Sequence, residues 1–335
     1  MSSASRPTSE PVDEHRLRLR SPQDLIEMVP YLLGFHPTDS VVVMAVERGG
    51  GPDRIGVVTR IDRQPAEDIG EALDQVFGAV CRSGADRAVA VLYAQSIATG
   101  ELDDLHWAAG RAGCELLDVL CVAAGRWRSL ICDDTECCPA AGLPVPQSTT
   151  PLAAAAAYAG LVARPDRSAL TSLLDPAAAA DRERLRPVLA ESERRWAQRA
   201  TYGENSRQER SVVRALFAAT RALGVLTDAE VSRYGVALRR ISVRDSCWLA
   251  VDERRLTADA LWRELARRLP SPYDAAPLFL FGWQQWRDGN GTLASTAATR
   301  ALESDPDYSA AVLLNAAVQQ GLDPFQTPRL RRYKR

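Results

Sequence analysis

The chain has 335 residues, enough for about two domains of ordinary size with cores of their own, which makes a single small module a poor fit. Its 41 lysines and arginines against 43 acids leave a formal charge of −2, so charge as a whole makes no case for a nucleic-acid partner. Lys334 is the one lysine among those cations.

Residues 1–14 are polar and Pro-rich and lack the apolar run of a secretory signal, so they read as a disordered leader. The most apolar later stretch, Pro151 to Ala163, is Ala-rich and shorter than the roughly 18 residues a membrane span needs. A cytoplasmic protein without membrane contact is expected. Seven cysteines are an odd number in a chain without an export signal, so reduced thiols are expected rather than a disulfide framework.

An α/β domain with a mixed sheet is predicted over residues 15–146. "HRLRLR" alternates like a half-buried strand, with Leu17 and Leu19 on one side. Ser21 and Pro22 then open a helix as N-cap and first helical residue, which Pro30 should break or kink. "SVVVMAVE" and "RIGVVTRID" form a hairpin across "RGGGPD". Ile69, Leu73, Val76, Phe77 and Val80 fall at helical spacing, and "RAVAVLYA" reads as a strand buried on both faces. A helix over about Leu102 to Ala112 leads to "ELLDVLCVAAG", the βαβ alternation of a partly parallel sheet. "RWRSLIC" is a return strand expected to end near Cys132, with Trp127, Ser129 and Ile131 on one face and Arg126, Arg128 and Cys132 on the other.

The turn "DDTECCPAAG" that follows carries the densest chemistry. Cys132, Cys137 and Cys138 are weak candidates for a metal, three ligands at irregular spacing where zinc takes four, with Cys114, Cys121, His106 or an Asp as the missing one. A thiol nucleophile needs a base in reach, and His15, His36 and His106 are all distant in sequence. A structural turn with Cys132 packed as a small apolar residue is the favoured reading, without metal, and a metal or redox site and another kind of binding stay open.

A second candidate surface is built from charge. If the strands carrying them are neighbours, Arg60, Asp62, Arg126 and Arg128, with Asp133 and Asp134, converge on a pocket whose arginine forks suit a small anionic ligand. The alternative is a set of structural ion pairs. No Gly-rich phosphate loop is present, since "GGG" at 49–51 lies in a hairpin, and no acid-base pair stands out.

Beyond "LPVPQSTTP", read as a linker, residues 147–325 are predicted to be all helical. Thr227 and Glu230 have capping-box spacing, and Leu261, Trp262, Leu265 and Leu269 form a core stripe. Gly282, Ala294, Ala301 and Pro306 stand at the spacings of a tetratricopeptide repeat, with Leu278 and Phe281 in its large apolar places, although Gln285 and Ala298 replace its usual aromatics. One such hairpin at the C-terminal end is expected, with Trp283 and Trp286 in the core or facing a partner. Residues 326–335 are a basic tail, Arg329, Arg331, Arg332, Lys334 and Arg335 around Tyr333, able to touch nucleic acid weakly.

"SPQDLIEMVPYLLGFHPTDSVVVMAV", "TRID", "GRWRSLICDDTECCP" and "GWQQWRDGNGTLA" together resemble the actinobacterial domain of unknown function 4192 family, over residues 17 to 325. The resemblance implies recurrence of Leu32–Phe35 with Pro37 and Ser40, of Arg60 and Asp62, and of Trp127–Cys132 with Cys137, Cys138 and Pro139. It carries no activity and no cofactor. The expectation is a non-enzymatic regulatory or scaffolding protein that binds a ligand or a protein partner; the alternative is a metal- or thiol-dependent hydrolase centred on the Cys132–Cys138 loop.

Overall fold

The computed structural model describes residues 17–48, 52–63, 69–98, 100–146, 150–201, 205–221 and 225–330. The leader, the hairpin glycines, the centre of the linker at 147–149 and the tail beyond Leu330 lie outside them.

The first half is a six-stranded mixed sheet. Its strands are β1 (Ser40–Glu47), β2 (Arg54–Asp62), β3 (Arg87–Tyr93), β4 (Glu115–Ala123), β5 (Arg126–Ser129) and β6 (Leu143–Pro144), in the spatial order β2-β1-β3-β4-β5-β6. Only β3 and β4 pair in parallel; they are joined through α3 (Glu101–Ala112), and the other neighbours are antiparallel. Alternation sorts the side chains. Val41, Val43, Ala88, Ala90, Leu92 and Val119 meet α2 (Ile69–Arg82) and α3 through Leu73, Phe77 and Leu105. Val42, Met44, Val91, Leu120 and Trp127 meet α1 (Pro22–Leu33) through Ile26 and Val29.

Local expectations hold in α1, where the Ser21 hydroxyl accepts from the Asp24 N–H and Pro22 opens the first turn. Pro30 does not end it. The helix runs on to Leu33 and stops at Gly34, whose φ of +83° is the left-handed value glycine tolerates. Pro30 removes one ladder donor, and the buried contacts of Ile26, Met28 and Val29 hold the turn around it. Leu17–Arg20, the described part of the expected first strand, alternates between half-buried and exposed but is not a strand and pairs with none among the described residues.

The second half is helical: α4 (Pro151–Tyr158), α5 (Arg167–Thr171), α6 (Ala179–Thr201), α7 (Asn205–Ala219), α8 (Asp228–Leu238), α9 (Ile241–Asp252), α10 (Asp259–Arg268), α11 (Ala275–Arg287), α12 (Gly291–Ser304) and α13 (Ser309–Gln319). The Thr227–Glu230 capping box forms. Helices α11 and α12 are joined by a three-residue turn and approach closely at Gly282, where a Cβ would stand 3.0 Å from that of Ala297 and 2.8 Å from a Leu314 methyl. Trp283 and Trp286 are buried, so the partner-facing option for them falls. The Trp283 indole donates instead to Asp252 at 2.9 Å.

The halves touch. Phe35, just after α1, is 1% exposed and belongs to the core of the helical half. Its neighbours bond across, His36 N–H to the Arg164 carbonyl and Arg164 N–H to the Gly34 carbonyl, both at 2.9 Å. Glu27 accepts from the Thr150 hydroxyl and the Ala153 N–H at the start of α4. At the far end Arg82 donates to the Gln320 carbonyl and Gln326 to that of Ser83.

Candidate functional site

The anticipated arginine pocket does not assemble. Three strands separate β2 from β5, a distance of roughly 19 Å at the usual strand spacing. The faces differ as well: Arg60 stands opposite Val42 on the α1 side, whereas Arg128 stands opposite Cys121 on the α2–α3 side. The condition that the two strands be neighbours fails, and with it the convergence of Arg60, Asp62, Arg126 and Arg128.

Arg60, Asp62 and Arg126 each engage partners of their own. Arg60 donates to the Ser40 hydroxyl at 2.8 and 3.1 Å, pairs with Asp62 at 2.5 Å and lies 5.6 Å from the Phe35 ring centre. Asp62 also meets Arg167 of the helical half at 3.3 Å. Arg63, not anticipated, forks onto buried Glu101 at 2.7 and 2.8 Å and reaches Asp39 at 3.1 Å. These ion pairs satisfy one another locally, and Asp62–Arg167 is the one among them that joins the two halves. No local signal in the sequence marks Arg63 and Glu101 as partners, because 38 residues separate them.

The cysteine loop is the opposite case. Strand β5 ends at Ser129, three residues earlier than expected, and Ile131 is 41% exposed rather than packed beside Trp127. The chain then folds back on itself. The Ser129 hydroxyl donates to Asp118 at 2.6 Å and accepts from the N–H groups of Ile131 and Cys132 at 3.3 and 3.2 Å. Asp134 accepts through Oδ1 from Glu136 and Cys137 at 2.8 and 3.3 Å, and through its carbonyl from Cys138 at 2.7 Å. This is the short local turn that aspartate favours. Arg126 closes the far side, its fork on the carbonyls of Ala141 and Gly142 at 2.6 Å each.

The return to β6 requires glycine. Gly142 has a φ of +69°, and a Cβ there would stand 2.9 Å from the Trp127 carbonyl oxygen. Gly142→Ala is expected to cost about 1–3 kcal/mol by strain at this point. Chemical denaturation of the variant measures it, and an unchanged midpoint would contradict the tight return.

What the loop gathers is sulfur. The Sγ atoms of Cys132, Cys137 and Cys138 all lie within 4.8 Å of one another, with Cys137 and Cys138 3.9 Å apart. Cys137 is exposed and the other two are half-buried. The neighbouring thiols of Cys138, first, and Cys132 push the Cys137 thiol up to about 11. Three of the suggested fourth members, Cys114, Cys121 and His106, are not in the group; Cys114 and Cys121 are buried, and His106 bonds the Leu102 carbonyl at 2.8 Å. Among the described residues this trio is the only cluster of three or more metal-ligating side chains. Asp133 and Asp134 are exposed on its rim.

A family model described as a domain of unknown function, DUF4192, matches residues 22–325. The chain belongs to the DUF4192 family. Comparison with curated proteins and with solved structures returned no match. The DUF4192 match takes in both halves, the Asp62–Arg167 pair between them and the whole cysteine loop. No helix among the described residues is long and apolar enough to cross a membrane.

Proposed function

We propose that this DUF4192 chain is a non-enzymatic regulatory or scaffolding protein that binds a protein partner, with the Cys132–Cys138 loop as its recognition element. One observation supports the reading. The loop backbone is pinned by Ser129, Asp134 and Arg126, while Asp133, Asp134, Thr135 and Glu136 are exposed. A loop already ordered loses little conformational entropy on binding, and recognition is commonly grafted onto loops of a rigid scaffold. The rim is acidic, so the fitting partner presents a basic surface. A small anionic ligand suits the site less well, because the forks of Arg60 and Arg126 are already engaged.

The thiol-hydrolase alternative meets a specific objection. A nucleophilic cysteine needs a depressed pKa, and the neighbours of Cys137 act in the other direction.

Other parts fit a binding protein. We read α11 and α12 as one tetratricopeptide-like hairpin followed by α13, supported by the spacing of Gly282, Ala294, Ala301 and Pro306 and by the close approach at Gly282. Val312 and Leu313 are 48% and 60% exposed on α13 and offer a second contact surface. We assign residues 15–146 and 147–325 to two domains, and the protein to the cytoplasm, where its free thiols stay reduced. Of the tail cations, Arg329 is the one among the described residues, and it is held by the Asp252 carbonyl.

The test is cross-linking in cells that produce the protein, with the natural chain and an Asp133→Arg, Glu136→Arg variant as baits. A partner enriched by the natural chain and lost from the variant is the expected result. Equal recovery by both would remove the loop from recognition.

A further inference from the structure

We propose that the sulfurs of Cys132, Cys137 and Cys138 hold one zinc ion at the outer end of β5. The inference names a ligand for the loop already read as the recognition element and rests on that reading. The distances fit. Zinc bound by thiolates at about 2.3 Å in tetrahedral geometry sets its sulfurs about 3.8 Å apart. Cys137 and Cys138 stand at 3.9 Å, and the third sulfur is within 4.8 Å of both.

The backbone places each sulfur separately. Cys132 is held by its N–H on the Ser129 hydroxyl, Cys137 by its N–H on the Asp134 carboxylate and Cys138 by its N–H on the Asp134 carbonyl. Three cysteines each anchored through the main chain, by Ser129 at the end of β5 and by Asp134 within the loop, make a preorganised donor set. Hydrophobic packing does not account for it, since Cys137 is exposed and these side chains turn toward one another rather than into the core. A bonded disulfide does not either: 3.9 Å is far beyond the roughly 2.04 Å of an S–S bond.

The rim adds electrostatics. Asp133, Asp134 and Glu136 bring negative charge beside the sulfurs, which favours a cation. On binding, each thiol releases its proton to water and donates as a thiolate. Three protein ligands leave one tetrahedral position for water or for a group brought by the partner.

Elemental analysis of the full chain, purified without chelator, tests this. About one zinc per chain is expected, retained in Cys81→Ser, a cysteine outside the loop, and lost in Cys132→Ser and in Cys137→Ser. Cobalt titration of the stripped natural chain is the second readout, valid even if the serine variants fail to fold. Sulfur-to-cobalt charge-transfer absorption saturating at one ion per chain supports the site. A natural chain that is free of zinc and gives no such absorption overturns it, as does zinc retained by both serine variants. The two readings fail separately. Zinc present while Asp133→Arg, Glu136→Arg still captures the partner sinks the recognition role alone, and the reverse pattern sinks the ion alone.

Discussion

Arg287→Ala is expected to lower stability by about 3–5 kcal/mol, because it strands the fully buried Asp252. The two side chains are 4% and 0% exposed and meet at 2.6 Å. Asp252 also accepts from the Trp283 indole and from the Leu330 N–H, so its carboxylate is satisfied only while this set is complete. Arg287 lies 5.3 and 5.0 Å from the ring centres of Trp283 and Trp286 and donates to the carbonyls of Pro324, Thr327 and Pro328. One buried pair thus straps residues 324–330 onto α9 and α11. Denaturant unfolding measures the loss, and limited proteolysis of the variant should cut first within residues 324–330. A change under about 1 kcal/mol, the scale of an exposed pair, would mean that the pair is solvated.

Phe35→Ala is expected to cost a similar amount, about 3–5 kcal/mol, as a fully buried aromatic replaced by a methyl group. Its position makes the effect shared. Phe35 hangs from the α/β half and packs in the helical core, and Arg60, which bridges Ser40 and Asp62, lies against its ring. The unfolding transition should therefore split, the helical half losing cooperativity with the sheet. A single transition at the natural midpoint would show that the Phe35 contact carries none of the coupling between the halves.

The elements were legible in the sequence because their causes are local. The 3.6-residue spacing of Ile69, Leu73, Val76, Phe77 and Val80, the Ser21-Pro22 start and the Thr227–Glu230 box each act within a few residues, and each appears in the structure. Strand order is not local. Arg60 and Arg128 carry the same chemistry whether their strands are neighbours or have three others between them, so a pocket built from both depends on strand order, which sets them apart. Leu17–Arg20 shows a related limit: alternation reports which side is covered, not whether a strand pairs. The Asp252–Arg287 strap spans 35 residues and leaves no periodic trace.

The cysteine loop was half legible. Its residues stood out by type, but the spacing of Cys132 to Cys137 and Cys138 matched no familiar zinc pattern and argued against a metal. What spacing concealed was the fold-back made by Ser129 and Asp134, which shortens a six-residue separation to a few ångströms. An aspartate followed by polar residues before a cysteine pair was the available signal, and its meaning depends on where β5 stops.

The most direct test of the three-sulfur centre is X-ray absorption at the zinc edge on the loaded full-length protein. Three sulfur neighbours at about 2.3 Å with one lighter atom are expected. A first shell of nitrogen and oxygen alone, at about 2.0–2.2 Å, would contradict it and return the loop to a structural turn.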